Sequence, residues 1–144
     1  MLEAQGIFRI DKPNGRIFLD VHYDFINYYN LFVTKEYWSK FHIPRHGSHI
    51  TIGNTMFHDN MDWVKAKKIY DRRLIKFQYN PYIYIGGGSK GFTNFYIKVY
   101  SEEIDHIKQE LRIIEKEDYK GAHITLGSDK NRNVIPYWPQ MIKI

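Results

Sequence analysis

The sequence predicts an α+β protein that folds as two similar lobes, with mostly antiparallel sheets around a central cleft and helices outside. A seven-residue segment that occurs twice, and a strand and helix pattern that precedes each copy, support this prediction. The chain has 144 residues, of which 43% are hydrophobic and 26% are charged, as in one ordinary globular domain. We expect a single domain over residues 1–144, with lobes at roughly 11–60 and 86–130 and an exchange of terminal strands left open.

The repeated segment is the strongest feature of the sequence. It reads GSHITIG over residues 47–53 and GAHITLG over residues 121–127, so five of the seven positions are identical. The two positions that differ exchange Ser for Ala and Ile for Leu, which are close in size. A match of this quality within so short a chain indicates a duplicated functional unit.

The same order of elements precedes both copies of the repeat. Residues 15–22 alternate as a β-strand does, and residues 24–40 then show helical spacing of their apolar side chains. Before the second copy, residues 92–100 predict a strand, and Ser101 with two following glutamates opens a helix. The apolar stripe of that helix comprises Ile104, Ile107, Leu111 and Ile114.

The remaining segments complete the predicted frame. Residues 74–79 and 82–85 predict strands, and residues 62–73 predict a helix. Residues 13–15 predict a turn between two N-terminal strands, and the glycine-rich residues 86–91 predict a mobile connection. Two prolines within residues 134–144 favour an edge strand or a docked tail over a helix.

Composition narrows the classes of function. The absence of cysteine excludes a disulfide framework and a thiolate nucleophile, and it suits a reducing cytoplasm. A net charge of +5 favours an anionic partner. Twelve tyrosines and three tryptophans suit stacking on nucleobases, although filling a β-rich core is the commoner role of such rings. No apolar run suits a membrane span or a signal peptide, so no membrane partner is expected.

Each motif places its polar side chains on one face of its strand. Side chains alternate along a strand, so His49 and Thr51 point away from Ile50 and Ile52. The same alternation separates His123 and Thr125 from their apolar neighbours. If the lobes are related by an approximate two-fold axis, both strands face one cleft and two imidazoles surround one ligand.

Such a group of side chains suits the cleavage of a phosphodiester. One histidine can take a proton from the attacking hydroxyl while the other gives a proton to the leaving oxygen, because an imidazole titrates near neutral pH. Threonine hydroxyls can donate to the non-bridging phosphate oxygens. This chemistry requires no metal and no cofactor, so none is expected.

The paired His-Ile-Thr motifs, about seventy residues apart, make the chain resemble the 2H phosphoesterase superfamily. The signature of that superfamily is two His-x-Thr/Ser-x strands in a pseudo-two-fold bilobal fold. The resemblance implies a metal-independent phosphodiesterase in which His49 and His123 are the catalytic pair and Thr51 and Thr125 bind the phosphate.

Within that superfamily, the small size and the abundance of tyrosine look most like the phage anti-CBASS enzymes. A basic residue often follows the second motif in the 2',5' RNA ligases, whereas Gly127-Ser128-Asp129 follows it here. The resemblance implies a cyclic di- or trinucleotide substrate, cut at a 3',5'-phosphodiester by a ribose 2'-hydroxyl. Two alternatives stay open, namely a phosphodiesterase of 2',3'-cyclic or 2',5'-linked RNA ends and a non-catalytic nucleotide-binding or RNA-binding module. The oligomeric state is not predicted.

Further residues are candidates for contact with the substrate. Lys90 lies in the glycine-rich connection, where backbone N–H groups can also surround a phosphate, although a plain hairpin is an equal interpretation. Arg9 and Lys12 near the N-terminus, with Tyr137 and Trp138 near the C-terminus, are candidates because both chain ends are expected to flank the motif strands. Trp138 is the best stacking candidate, and its alternative role is packing against the core. A metal site at His42, His46 and His49 is not expected, because no acidic ligand accompanies them.

Overall fold

The chain is built around one antiparallel sheet. The computed structural model describes residues 1–22, 25, 27–29, 47–87, 93–115, 121–129 and 140–143. Eight strands form a single sheet in the order β4-β1-β2-β3-β7-β6-β5-β8, and each hydrogen-bonded pair is antiparallel. The strands are β1 (Leu2–Asp11), β2 (Arg16–Asp20), β3 (His49–Asn54), β4 (Leu74–Tyr79), β5 (Tyr82–Gly87), β6 (Thr93–Tyr100), β7 (His123–Asp129) and β8 (Gln140–Lys143). The predicted α+β class is therefore confirmed.

The two halves of the sheet have the same arrangement of strands on either side of its centre. β3 and β7 are the two central strands, and each is flanked by one strand of a hairpin, β2 of the β1–β2 hairpin or β6 of the β5–β6 hairpin. The chain thus repeats a hairpin followed by a central strand. The predicted strands at 15–22, 74–79, 82–85 and 92–100 are confirmed as β2, β4, β5 and β6.

The sheet also bends far enough for β4 to reach the second half. In addition to its long pairing with β1, β4 pairs with the end of β6 at Gln78↔Tyr100 and Tyr79↔Val99. This second pairing protects part of the edge of β4, which would otherwise present unpaired backbone groups. It also joins the two halves of the chain on the side away from β3 and β7.

Besides the 3₁₀ helix Lys12–Asn14 between β1 and β2, two helical segments with described bounds pack with the sheet. α1 is α-helical over Trp63–Lys65 and continues as a π-helix over Ala66–Tyr70, which confirms helical structure within the predicted 62–73 segment. α2 (Glu102–Glu110) begins at Ser101, whose hydroxyl accepts a hydrogen bond from the backbone N–H of Ile104 at 3.1 Å. This is the N-cap that the sequence predicts.

The apolar stripe of α2 is confirmed except at its last position. Ile104, Ile107 and Leu111 are fully buried, whereas Ile114 is 83% exposed. The helix ends at Glu110, and Arg112 then adopts a left-handed backbone with φ of 60°. Helical spacing no longer applies beyond that point, so Ile113 turns into the core in place of Ile114.

The C-terminal prediction is confirmed in the part that the structure describes. β8 lies at the edge of the sheet and pairs with β5 from Tyr82↔Lys143 to Ile85↔Gln140. The predicted helix over 24–40 falls mostly outside the described residues, as do both prolines of the tail and much of the glycine-rich connection. Within the described ranges, no helix has both the length and the apolar character needed to cross a membrane.

Tyr29 is a buried residue of the first half of the chain, and the pKa of its hydroxyl reports on that burial. Its side chain is 5% exposed and lies against Phe25 and Tyr28, with ring centroids 5.2 Å and 5.1 Å away. Burial, together with the neighbouring Tyr79 and Tyr28, raises the pKa of its hydroxyl to about 12. In the unfolded chain the same hydroxyl titrates near pH 10.

We therefore expect alkaline pH to weaken folding through Tyr29. The unfolded state loses the tyrosine proton first, so stability is intact below about pH 10 and falls by about 2 kcal/mol as the pH rises towards the folded pKa. Urea unfolding from about pH 9 to about pH 11.5 should show a shallower loss for Tyr29→Phe than for the wild type. Tyr100→Phe, at an exposed ring that does not contribute to the Tyr29 pKa, is the control. Identical pH dependence in the wild type and Tyr29→Phe would contradict this assignment.

Candidate active site

The site is built where the two central strands meet. β3 and β7 are antiparallel, and Ile50 pairs with Ile124. One step along each strand from this pair, the antiparallel register places His49 across from Thr125 and His123 across from Thr51. The two copies of the sequence repeat are therefore neighbours in the sheet.

Burial shows which face of the sheet carries the polar groups. Ile50 and Ile124 are fully buried in the core, while the histidines and threonines that alternate with them are half-buried. The four polar side chains therefore share the other face, called here the histidine face. Diagonal neighbours across an antiparallel pair lie about 7–8 Å apart at Cα, so the imidazoles of His49 and His123 can reach opposite sides of one phosphate group.

Both motif strands carry a bulge at the equivalent position. Ile17 pairs with Gly53 but the next residue, Phe18, pairs with Thr51, which leaves Ile52 as the extra residue of β3. In the second half Phe95 pairs with Gly127 and Tyr96 with Thr125, which leaves Leu126 as the extra residue of β7. Bulges redirect neighbouring side chains and are frequent beside functional sites. The local geometry of the motif is thus repeated along with its sequence.

A backbone carbonyl fixes each imidazole in the same way. The Nδ1 atom of His49 lies 2.9 Å from the carbonyl oxygen of Gly47, and Nδ1 of His123 lies 2.7 Å from that of Gly121. A carbonyl can only accept a hydrogen bond, so Nδ1 must carry the proton in both rings. Nε2 is then the atom that binds or releases a proton, and in the neutral ring it is the base.

The first glycine of each motif has a conformational role. Gly47 and Gly121 have φ of 71° and 81°, in the left-handed region that residues with a side chain rarely adopt. Each glycine directs its carbonyl back towards the imidazole two residues later. The sequence repeat includes these glycines because the position of the histidine ring depends on them.

An aromatic ring supports each histidine from the neighbouring strand. Phe18 of β2 meets the His49 ring edge to face, with centroids 6.0 Å apart, and Tyr96 of β6 meets the His123 ring in the same way at 5.6 Å. Phe18 pairs with Thr51 as Tyr96 pairs with Thr125. These rings limit the rotation of the imidazoles and reduce their contact with water.

The second half carries additional aromatic surface. Tyr84 of β5 is stacked on Tyr96 with centroids 5.7 Å apart and an interplanar angle of 20°. The ammonium of Lys98 lies 4.4 Å from the centroid of Tyr84, a favourable cation–π contact. Burial, and next the proximity of Tyr84, raises the pKa of the Tyr96 hydroxyl. Tyr96 therefore remains a hydrogen-bond donor at neutral pH.

Charge distinguishes the two halves. Across the strand pairs, Asp20 lies opposite His49, whereas Lys98 lies opposite His123. Arg9 of β1 pairs with Phe18 and places its Nε 3.9 Å from the Asp20 carboxylate. One histidine thus has an acidic neighbour and the other a basic neighbour, although their motifs are nearly identical.

The structure brings together the four predicted catalytic side chains and adds Arg9 on the same face. Lys12 instead lines a separate cavity of about 570 Å³ with Ile10, Pro13, Trp63, Val64, Lys67 and Lys68. Lys90, Tyr137 and Trp138 lie outside the described residues, as do His42 and His46. Among the residues with described positions, no group of three or more His, Cys, Asp and Glu could hold a metal ion.

Sequence reasoning did not single out several residues of the histidine face. Phe18 and Tyr96 lie at positions where the alternation of a half-buried strand would place a polar residue, and each lies between two buried residues. An aromatic residue that interrupts the alternation was the available signal, and it occurs at the same place in both halves. Tyr84, Lys98 and Arg16 gave no comparable signal, because their positions follow from pairing between distant strands.

Comparison with known proteins does not assign the chain to a class. No protein-family model, curated protein or solved structure matches it significantly. The function of the site therefore has to be inferred from its own chemistry.

Proposed function

We propose that the protein is a metal-independent phosphodiesterase of the 2H type, in which His49 and His123 exchange protons with the substrate. The observation that carries this proposal is the matched pair of imidazoles on adjacent strands, each with Nδ1 directed to a glycine carbonyl. Two rings held in the same tautomer, in which Nε2 is the nitrogen that exchanges a proton, suit a reaction that needs one base and one acid.

The pseudo-two-fold bilobal 2H arrangement, with its central cleft and outer helices, is part of the same proposal. Its support is the symmetric strand order around β3 and β7 and the equivalent bulges at Ile52 and Leu126. A duplicated hairpin and central strand would give each half one histidine and one threonine. The catalytic site would then form only where the halves meet.

The proposed reaction is an attack by a ribose 2'-hydroxyl on the adjacent phosphorus. The Nε2 atom of one histidine takes the hydroxyl proton as the new oxygen–phosphorus bond forms. The bond from phosphorus to the 5'-oxygen breaks, and the protonated Nε2 of the other histidine supplies the proton to that leaving oxygen. The products are a 2',3'-cyclic phosphate and a free 5'-hydroxyl, and the two histidines have exchanged protonation states.

Thr51 and Thr125 stabilise the charge that develops on the phosphate. Each lies across the strand pair from the histidine of the other motif, so both hydroxyls can donate to the non-bridging oxygens of the same group. The Tyr96 hydroxyl, which burial keeps protonated, is a further donor on this face.

The proposed substrates are cyclic di- or trinucleotide immune signals, as for the phage anti-CBASS enzymes that the sequence resembles. The net charge of +5 favours the capture of a polyanion. The stacked Tyr84 and Tyr96 rings, with Lys98 beside them, suit a nucleobase next to the reacting phosphate.

The test is a substrate panel in buffer that contains EDTA. Cyclic dinucleotides, cyclic trinucleotides, and RNA ending in a 2',3'-cyclic phosphate or a 2',5' linkage are incubated with the protein, and products are separated by chromatography. We expect linear products with a cyclic phosphate end from at least one cyclic oligonucleotide. Cleavage of RNA ends alone would replace the proposed substrate class. Tight binding without turnover of any compound would favour a non-catalytic binding module.

A further inference from the structure

We propose that Arg16 is an anion-binding group that holds a second phosphate of the substrate, separate from the phosphate that is cleaved. This inference rests on the proposed function. It adds the requirement of a second phosphate on the ligand, which the two His-Ile-Thr motifs alone do not impose. It predicts that the preferred ligands carry at least two phosphates.

Arg16 belongs to the histidine face. Ile17 and Leu19 of β2 are fully buried in the core, so Arg16 and Phe18, which alternate with them, lie on the other side of the strand. The Arg16 guanidinium carbon lies 4.5 Å from the centroid of the Phe18 ring, and that ring contacts His49. The guanidinium is therefore connected to the catalytic pair through one aromatic ring.

The guanidinium is buried without adequate compensation. Arg16 is only 8% exposed, and its buried Nη2 has no hydrogen-bond partner within the part of the chain that the structure describes. Burial lowers its pKa, an effect that the negative charge of Asp11 opposes only in part. Asp11 pairs with Arg16 across the β1–β2 hairpin but accepts a hydrogen bond from Asn14 at 2.9 Å.

A buried donor of this kind is costly to keep, and it calls for an explanation. A guanidinium presents several N–H groups in a planar fork that matches the oxygens of a phosphate, and its charge-assisted hydrogen bonds are stronger than neutral ones. A phosphate bound at the accessible part of the guanidinium would supply the missing negative charge.

The position of Arg16 on β2 suits a second phosphate better than the phosphate between the histidines. Arg16 pairs with Asn54, whereas His49 pairs with Asp20 four residues further along β2, which is about 13 Å at Cα. The Phe18 ring contacts the Arg16 guanidinium and the His49 imidazole. Along β2, Phe18 lies midway between Arg16 and the residue that pairs with His49. The ligand proposed for Arg16 is therefore a second anionic group of the substrate, beyond the reacting one.

Among the residues that the structure describes, the second half has no arginine at the place that corresponds to Arg16. Asn94 occupies the place on β6 that corresponds to Arg16, two residues before Tyr96 and across from Ser128. A neutral amide there offers no counter-charge for a phosphate. A ligand with two phosphates would accordingly be held in one orientation relative to the two histidines.

The experiment compares the affinity of Arg16→Gln with that of the wild type and of Arg73→Gln, which removes one guanidinium from an exposed turn. The probes are a cyclic dinucleotide with two phosphorothioate linkages and a linear dinucleoside with one. We expect Arg16→Gln to bind the first probe about tenfold or more weakly and the second probe almost unchanged. Arg73→Gln should match the wild type for both.

Thermal unfolding without ligand separates a binding role from a structural one. Removal of a buried and poorly paired charge should leave the melting temperature of Arg16→Gln equal to or above that of the wild type. A lower melting temperature with unchanged affinity would show that Arg16 supports the fold, and would overturn the proposal. Equal affinity of the wild type and Arg16→Gln for the first probe, including no measurable binding by either, would also overturn it. Arg16-dependent binding of the probes, with no turnover of any unmodified compound in the substrate panel, would retain the Arg16 subsite and reject the phosphodiesterase.

Discussion

Replacement of His49 or His123 by alanine is expected to lower turnover of the cleaved substrate by about a thousandfold or more, because each variant loses one of the two proton-transfer groups. The two losses should not add, since the reaction needs both groups in the same step. The double variant should therefore be about as inactive as each single variant. Single-turnover kinetics at saturating substrate measure this effect directly.

The matched control for these variants is His106→Ala. His106 is exposed on α2, where its Nε2 lies 4.0 Å from Glu110, and the buried side of α2 packs into the core, on the side of the sheet opposite the histidine face. We expect full activity from His106→Ala. Asparagine at position 49 or 123 provides a second control, because its amide N–H can still donate to the glycine carbonyl while it cannot transfer a proton. Turnover within tenfold of the wild type in either His→Ala variant would contradict the proposed mechanism.

The sequence predicted the parts of this site that depend on local order. A strand alternates its side chains with a period of two, so His49 and Thr51 had to share a face once residues around them formed a strand. The capping hydroxyl of Ser101 likewise acts within one turn of helix, and the start of α2 was predicted correctly. Both motifs were recognised because their informative residues are contiguous.

The remainder of the site depends on contacts between distant strands. Phe18 reaches His49 only because a bulge at Ile52 sets the register between β2 and β3, and periodicity within one strand does not report such a shift. Arg16 appeared to be an ordinary polar residue of a strand, because its burial follows from neighbours on other strands. The assignment of Ile114 to the apolar stripe was wrong because it assumed that the helix continues past Glu110.

A comparison of Ile124→Ala with Thr125→Val tests the assignment of the two sheet faces. Ile124 pairs with Ile50 on one side and with Ile97 on the other, and all three side chains are fully buried. Its truncation leaves a cavity in close-packed surroundings and should reduce the free energy of unfolding by about 2–4 kcal/mol. Thr125→Val keeps the shape of the half-buried side chain and removes only its hydroxyl, so we expect stability to change by less than about 1 kcal/mol.

The two substitutions should affect turnover in the opposite order, with the larger loss in Thr125→Val. Thr125→Val removes a donor to the phosphate and should lower turnover by about tenfold to a hundredfold, less than the loss of a histidine. Ile124→Ala should retain most of its turnover at a temperature where it is fully folded, since its side chain faces away from the substrate. Urea unfolding and single-turnover rates of the two variants measure both quantities. If Thr125→Val lost stability while Ile124→Ala lost only activity, the threonine would face the core, and the histidines, which share its face of the sheet, could not act together on one phosphate.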